Sequence, residues 1–207
     1  MKKILLDIQY LPSVAYFTAI RQADEVWIEA QQNFVKQSYQ NRCRILGANG
    51  VLNLSVPVNH RSRKIPIREL TIDYKQKWMN THWRALQSAY GKSPFFDYYS
   101  DEVREIILSQ CATLFELNSK LMTLCLKYLQ IGTPVRFTEK FEKEVDGNVT
   151  DLRSVIHPKK AVSELQWFTA QPYHQIFGNN FAANLSILDL LFCEGPMAGS
   201  ILEQSRA

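Results

Sequence analysis

Residues 41–44, within the run QSYQNRCRILGANG (37–50), crowd three side chains suited to holding an anion: Asn41, Arg42 and Arg44. A guanidinium presents a planar fork of donors that fits phosphate or carboxylate, and an asparagine adds a donor and an acceptor beside it. The same residues could equally form a solvated helix face held by ordinary ion pairs. For proton transfer near neutral pH the best-suited side chain is His82, in HWRALQSAYG, as a general base. At helical spacing it shares a face with Trp78, Ala85 and Leu86, which is also the setting of a packed structural histidine. Tyr90 and Lys92 follow. Tyr90 could donate a proton or stack on a ring and Lys92 could bind an anion, or Gly91 ends a helix and Lys92 complements its dipole.

Other groups have weaker cases. The loop at residues 59–64 carries Arg61, Arg63 and Lys64 and could close over a phosphorylated substrate, although most short basic loops are simply solvated. Glu29, at a strand end, and Asp7, within a strand, are the acids best suited to partial burial. Open α/β sheets bind ligands beyond the carboxyl ends of their strands, a rule that draws Tyr10, Pro12, Tyr16 and Glu29 toward one crevice. Tyr16 could equally be core, and Asp189 reads as a capping residue after Ser186. His157 and His174 lie in less regular sequence that offers no chemical role for them. P-loop, GxGxxG, GxSxG and HExxH motifs are all missing, so the sequence implies no cofactor. Cys43, Cys111, Cys125 and Cys193 form neither a CxxC nor a Cys/His pair at ligand spacing, so no metal site is expected.

The elements that must position these residues follow from periodicity. Residues 3–9 read as a strand, PSVAYFTAIRQA as a helix and DEVWIEA as a strand, which is the start of an α/β unit with parallel strands. In SYQNRCRILG, Tyr39, Cys43 and Leu46 recur at i, i+4 and i+7, consistent with a short helix from Ser38 to Gly47. In that helix Gln40, Asn41 and Arg44 share an edge that Arg42 cannot join. VLNLSVPV and IRELTIDY alternate as strands. QKWMNTHWRALQSAYG is a helix, SDEVREIILSQ a helix capped by Ser100, and TLFELNSKLMTLCLKYLQIGTP the strongest helix, stopped by Gly132 and Pro134. PVRFTEKF is a strand. Residues 142–166 are polar and read as a flexible loop, and NLSILDLLFCEGPMAGSIL gives two short helices broken at Gly195–Pro196. The expected fold is a single α/β domain over residues 1–207: a mostly parallel sheet flanked by helices, with a more helical C-terminal part.

Bulk properties narrow the partners. Apolar residues at 46% with 12% aromatics supply a filled core and exclude a disordered chain. No apolar run approaches the roughly 20 residues that cross a bilayer. MKKILLDIQYLP starts like a signal peptide, but Asp7 ends its apolar run, so the expectation is a cytoplasmic protein without membrane insertion. Charge is uneven: 14 Lys and Arg against 7 Asp and Glu in residues 1–100, and 10 against 13 in residues 101–207. A basic first half suits an anionic small molecule but is too mild for a nucleic-acid binder. Abundant Tyr, Phe and Trp allow a homodimer contact.

YLPSVAYF (10–17), NRCRILGANG (41–50), LSVPV (54–58), HWRALQSAYGKSPFF (82–96) and NLSILDLLF…EG (184–195) together resemble the WbqC-like family, its Bacteroidetes-type branch most. The resemblance runs over nearly the whole chain. It implies a bacterial protein, related to members encoded among surface-polysaccharide genes and suggested to transfer amino-acid or similar groups onto sugars. The family's Gln-Pro pair near the start is replaced here by Asp7 and Ile8, and its Pro-x-x-Gly-Tyr-Phe by Pro12, Ala15, Tyr16 and Phe17. The expected function is a transferase with an anion-binding cleft acting in cell-surface glycan metabolism. A non-catalytic binding protein is the alternative. A nucleotidyltransferase is a weaker one, since the His-x-Gly-His signature is lacking.

Overall fold

The computed structural model describes residues 2–59, 64–143, 145–178 and 180–207. The chain opens with β1 (Lys3–Asp7), α1 (Val14–Arg21) and β2 (Glu25–Glu29), and then forms a hairpin of β3 (Arg42–Gly47) and β4 (Gly50–Ser55). Three helices follow, α2 (Trp78–Tyr90), α3 (Phe96–Leu108) and α4 (Leu114–Tyr128), then β5 (Val135–Phe137) and β6 (Val149–Asp151). The chain closes with α5 (Ile187–Glu194) and α6 (Ala198–Gln204). This is a single α/β domain. Its main sheet has the order β5-β2-β1-β6 with every neighbouring pair parallel, while β3 and β4 stand apart as an antiparallel ribbon. No helix among the described residues is long and apolar enough to cross a membrane.

The core explains the sheet. Ile4, Leu6, Val26 and Ile28 alternate onto one face and pack with α1, whose Val14, Ala15, Tyr16, Phe17 and Ile20 are all buried. Each large apolar side chain removed from water in this way contributes about 1.5–3 kcal/mol. α5 and α6 pack against α1, and α2, α3 and α4 form a helical layer that also touches β3. Thr113 caps α4 by accepting from the Glu116 N–H at 3.1 Å, and Glu116 reaches back to the Ala112 N–H at 3.0 Å.

Several sequence expectations need correction. Residues 42–47 are a strand, not the end of a helix: the spacing of Tyr39, Cys43 and Leu46 suits a helix, but Cys43 and Ile45 equally alternate into a strand's buried face. The Gly47↔Gly50 pair closes the hairpin, with Gly50 at φ +104°, a backbone state that favours glycine. IRELTIDY is not a strand. Ile67–Glu69 form a 3-10 turn, and Thr71 and Ile72 make only isolated bridges to Thr113 and Val58. Ser100 lies inside α3, which starts at Phe96. Within the segment read as a flexible loop, Val149–Asp151 pair with β1 and complete the sheet.

Candidate functional site

From β1 the chain passes through α1 to β2, with β5 beyond it, and later crosses to the other side of β1 to form β6. Connections therefore diverge at the carboxyl ends of β1 and β6, the switch point where open α/β sheets form their crevice. The two backbones stay tied as they leave the sheet. The Leu152 N–H donates to the Leu5 carbonyl at 2.8 Å, and the Ser154 N–H donates to Asp7 Oδ1 at 3.1 Å. Gln9 Nε2 donates to the Ile156 carbonyl at 3.4 Å. Asp7 is 2% exposed. Burial pushes its carboxyl up to about 6, against the opposing hydrogen bonds from Ser154 and Gln9.

The hairpin delivers the arginines to this crevice. Strand periodicity puts Arg42 and Arg44 on one face, with Cys43 and Ile45 buried on the other. Arg44 lines a small cavity with Tyr39, Ile156, His157, Lys160 and Asn184, and its volume of about 10 Å³ is close to that of one water. His157 is held below the usual histidine range by burial and then by the charges of Lys160, Lys159 and, least, Arg42. Arg42 Nε is buried and has no hydrogen-bond partner among the described residues. Neither Arg42 nor Arg44 is ion-paired among them. Asn41 donates to the Val56 carbonyl at 2.8 Å, leaving its buried Oδ1 unpartnered. Asn184 reaches from the segment before α5 to accept the Ala15 N–H at 2.9 Å, which ties the cavity wall to the first turn of α1.

The remaining expected site residues go elsewhere. His82 is 3% exposed, its Nδ1 lies 2.9 Å from the Tyr10 hydroxyl, and Trp78 packs against its ring. Burial pushes it down to about 4, with a backbone hydrogen bond at Ser55 acting the other way. Tyr10 in turn lies beside Cys43, so His82 and Tyr10 are on the opposite face of the hairpin from Arg42 and Arg44. The imidazole and the guanidinium groups do not share a hollow: His82 lines a separate surface hollow with Ser55, Gln76 and Trp78. Glu29 is fully buried and fully occupied. Its Oε1 accepts from the Gln31 N–H at 2.9 Å and the Thr138 hydroxyl at 2.7 Å, and its Oε2 from Arg153 Nη1 at 3.1 Å and the Glu142 N–H at 3.2 Å.

Tyr16 is core, its hydroxyl donating to the Asp7 carbonyl at 3.1 Å. The Tyr90 hydroxyl accepts from the Leu46 N–H at 3.1 Å and donates to Asp189 Oδ1 at 2.8 Å. Asp189 is therefore not a cap: its other oxygen accepts from Tyr173 at 2.6 Å and Gln175 at 2.8 Å. Lys92 is exposed on the turn after α2. Arg61 and Arg63, in the expected basic loop, lie outside the described residues. Sequence reasoning named Asp7 only as a partly buried acid, set His157 aside for want of a chemical role, and passed over Gln9, Lys160 and Asn184. The signal for two of them is the basic run His157-Pro158-Lys159-Lys160.

Fold and site together define an α/β protein with two arginines, unpaired among the described residues, near its strand switch point. The chain belongs to the WbqC-like protein family, whose pattern matches residues 8–160. That span includes Gln9, both arginines, His157 and Lys160, and it ends before Asn184 and the last two helices. The chain is also similar to "Uncharacterized protein Rv1507c" of Mycobacterium tuberculosis (strain ATCC 25618 / H37Rv), 29% identical over 234 residues that span the whole of both chains. No solved structure matches.

Proposed function

We propose that this WbqC-like protein is a cytoplasmic transferase that takes an anionic small-molecule substrate at the β1/β6 switch point, with Arg42 and Arg44 gripping the anion. The observation that carries this reading is the buried, unpartnered Nε of Arg42 beside Arg44, in a wall without a carboxylate among its lining residues. A buried donor without an acceptor costs about 1–3 kcal/mol, more when charged, and an anion removes that cost. Asp7, with its carboxyl near 6 at the end of β1, is the group suited to accept a proton from an attacking nucleophile. Family resemblance supplies the wider context, transfer of an amino-acid or similar group in cell-surface glycan synthesis. His82 has no part in this reading, since its ring is enclosed on the far face of the hairpin.

A thermal-shift panel of nucleotide-sugars, sugar phosphates and carboxylates tests the site. A ligand at about 100 times its dissociation constant stabilises by about 2.7 kcal/mol. Arg42→Gln and Arg44→Gln should lose that shift, while Arg84→Gln, at an exposed arginine of α2, should keep it. A panel without any shift, or one that shifts Arg44→Gln as much as the parent protein, would sink the reading.

A further inference from the structure

We infer that residues 153–165 form a lid that completes the anion site with two hydrogen-bond donors of its own, the His157 imidazole and the Lys160 ammonium, and that the completed site is built for a phosphate-bearing ligand. The inference rests on the anion-site reading above and adds the lid and the ligand class to it.

Charge is the first argument. Floor and lid together bring the Arg44 guanidinium, the Lys160 ammonium and the His157 imidazole to one small cavity whose lining contains no Asp or Glu, and the Arg42 charge lies near enough to act on His157. A carboxylate carries one negative charge and would leave the two arginines incompletely neutralised in a low-dielectric wall. A phosphate carries up to two, a diphosphate more, and either offers oxygens on several sides for donors that approach from several elements. His157 suits the role: its Nδ1 accepts the Lys159 N–H at 3.2 Å, so a single ring proton sits on Nε2, where it can be donated.

Space is the second argument. A cavity of about 10 Å³ admits nothing as large as a phosphate, so a ligand held between Arg44 and residues 156–160 requires the cover to move outward. The cover is built to lift as a piece, because most of its polar contacts are its own. The Lys160 N–H donates to the His157 carbonyl at 3.0 Å and Lys160 Nζ to the Ser154 carbonyl at 3.0 Å. The Ala161 N–H donates to Glu164 Oε1 at 2.9 Å. The cover's polar contacts to the floor are few, the Ser154–Asp7 bond and the long Gln9–Ile156 bond, and the rest is apolar packing: Ile156 and Leu165 are buried in the core and Val155 and Val162 lie against it. At its root Arg153 is clamped to Asp151, Glu29 and the Glu142 carbonyl, and the next residue, Ser154, has φ +56°, so the chain turns sharply just past a fixed point. With the cover down and no anion between them, the Lys160 ammonium and the floor arginines repel. A phosphate bridging them converts that repulsion into attraction and draws the lid closed.

Hydrogen–deuterium exchange of the full chain, paired with calorimetric titration, tests this with inorganic phosphate, pyrophosphate and, as a monocarboxylate, acetate. Pyrophosphate or phosphate should slow exchange across residues 155–165, and acetate should not. Losing both lid donors in His157→Gln/Lys160→Gln, a change at the lid surface, should weaken pyrophosphate binding by about tenfold or more, since each donates to a charged phosphate oxygen. If pyrophosphate binds in an Arg44-dependent way while lid exchange and the double variant's affinity stay unchanged, the lid falls and the arginine site stands. If acetate binds and neither phosphate does, the ligand class falls. If none of the three binds, the lid proposal and the anion site fall together.

Discussion

Replacing Asp7 by Asn should stabilise the protein above pH 6 while removing the buried carboxyl at the end of β1. In the folded protein burial raises Asp7 from 3.8 to about 6, so the fold holds this proton more tightly than the unfolded chain does. The stability that this proton contributes is therefore complete below about pH 4 and is lost as pH rises through about 6. A difference of about two units corresponds to about 3 kcal/mol. His82 runs the other way: burial lowers it from 6.5 to about 4, so its contribution is present above pH 6.5 and is lost as pH falls through 4. That too is about 3 kcal/mol. In the parent protein the two slopes oppose each other over the same window, and its stability should change little between pH 4 and 6.5 on their account. Asn mimics the protonated carboxyl and still accepts the Ser154 N–H. Asp7→Asn should match the parent near pH 4 and exceed it by up to about 3 kcal/mol at pH 7, its own stability now climbing with pH along the His82 slope. Urea unfolding at half-unit steps from pH 4.5 to 7.5 measures the difference directly. A difference that does not change with pH, or an Asn variant less stable than the parent at pH 7, would show that burial does not govern this carboxyl. A carboxylate kept at a cost to stability is what a working group in a crevice would be.

Two further outcomes follow from buried partners. Arg153→Met strands the fully buried Glu29 carboxylate without its cation and should cost about 3–5 kcal/mol in denaturant unfolding, with Glu29→Gln in the same chain recovering part of the loss. Tyr90→Phe leaves the Leu46 N–H and Asp189 Oδ1 unpartnered and should cost about 2–4 kcal/mol. Tyr173→Phe should cost less, about 1 kcal/mol, because Gln175 still donates to the same Asp189 oxygen.

How far the sequence could be read depended on whether a feature's partner was local. β1, α1 and β2 were legible because their apolar residues alternate or recur within a single element, and α4 because Thr113, Gly132 and Pro134 punctuate it. The hairpin was misread because Tyr39, Cys43 and Leu46 satisfy helical spacing while Cys43 and Ile45 satisfy strand spacing. Asn49-Gly50, a turn signal between two apolar runs, was the feature that favoured the hairpin. β6 was passed over since three residues of mixed polarity carry no periodicity, and they become a strand only because β1 offers an unpaired edge. Glu29 looked like a site residue for being an acid at a strand end. Its actual role came from Arg153 and Thr138, more than 100 residues away in the chain.

By itself the sequence determined the α/β class, the helices with clear faces and stops, the family pattern and the presence of two arginines with anion-binding chemistry. Those properties are written in residue type and local spacing. Tertiary structure alone decided that Arg42 and Arg44 share a face, that His157 and Lys160 meet them, and that His82 turns to Tyr10 instead. Each of these depends on which backbones pair and which faces pack, and contacts between distant segments leave no period in the chain to read.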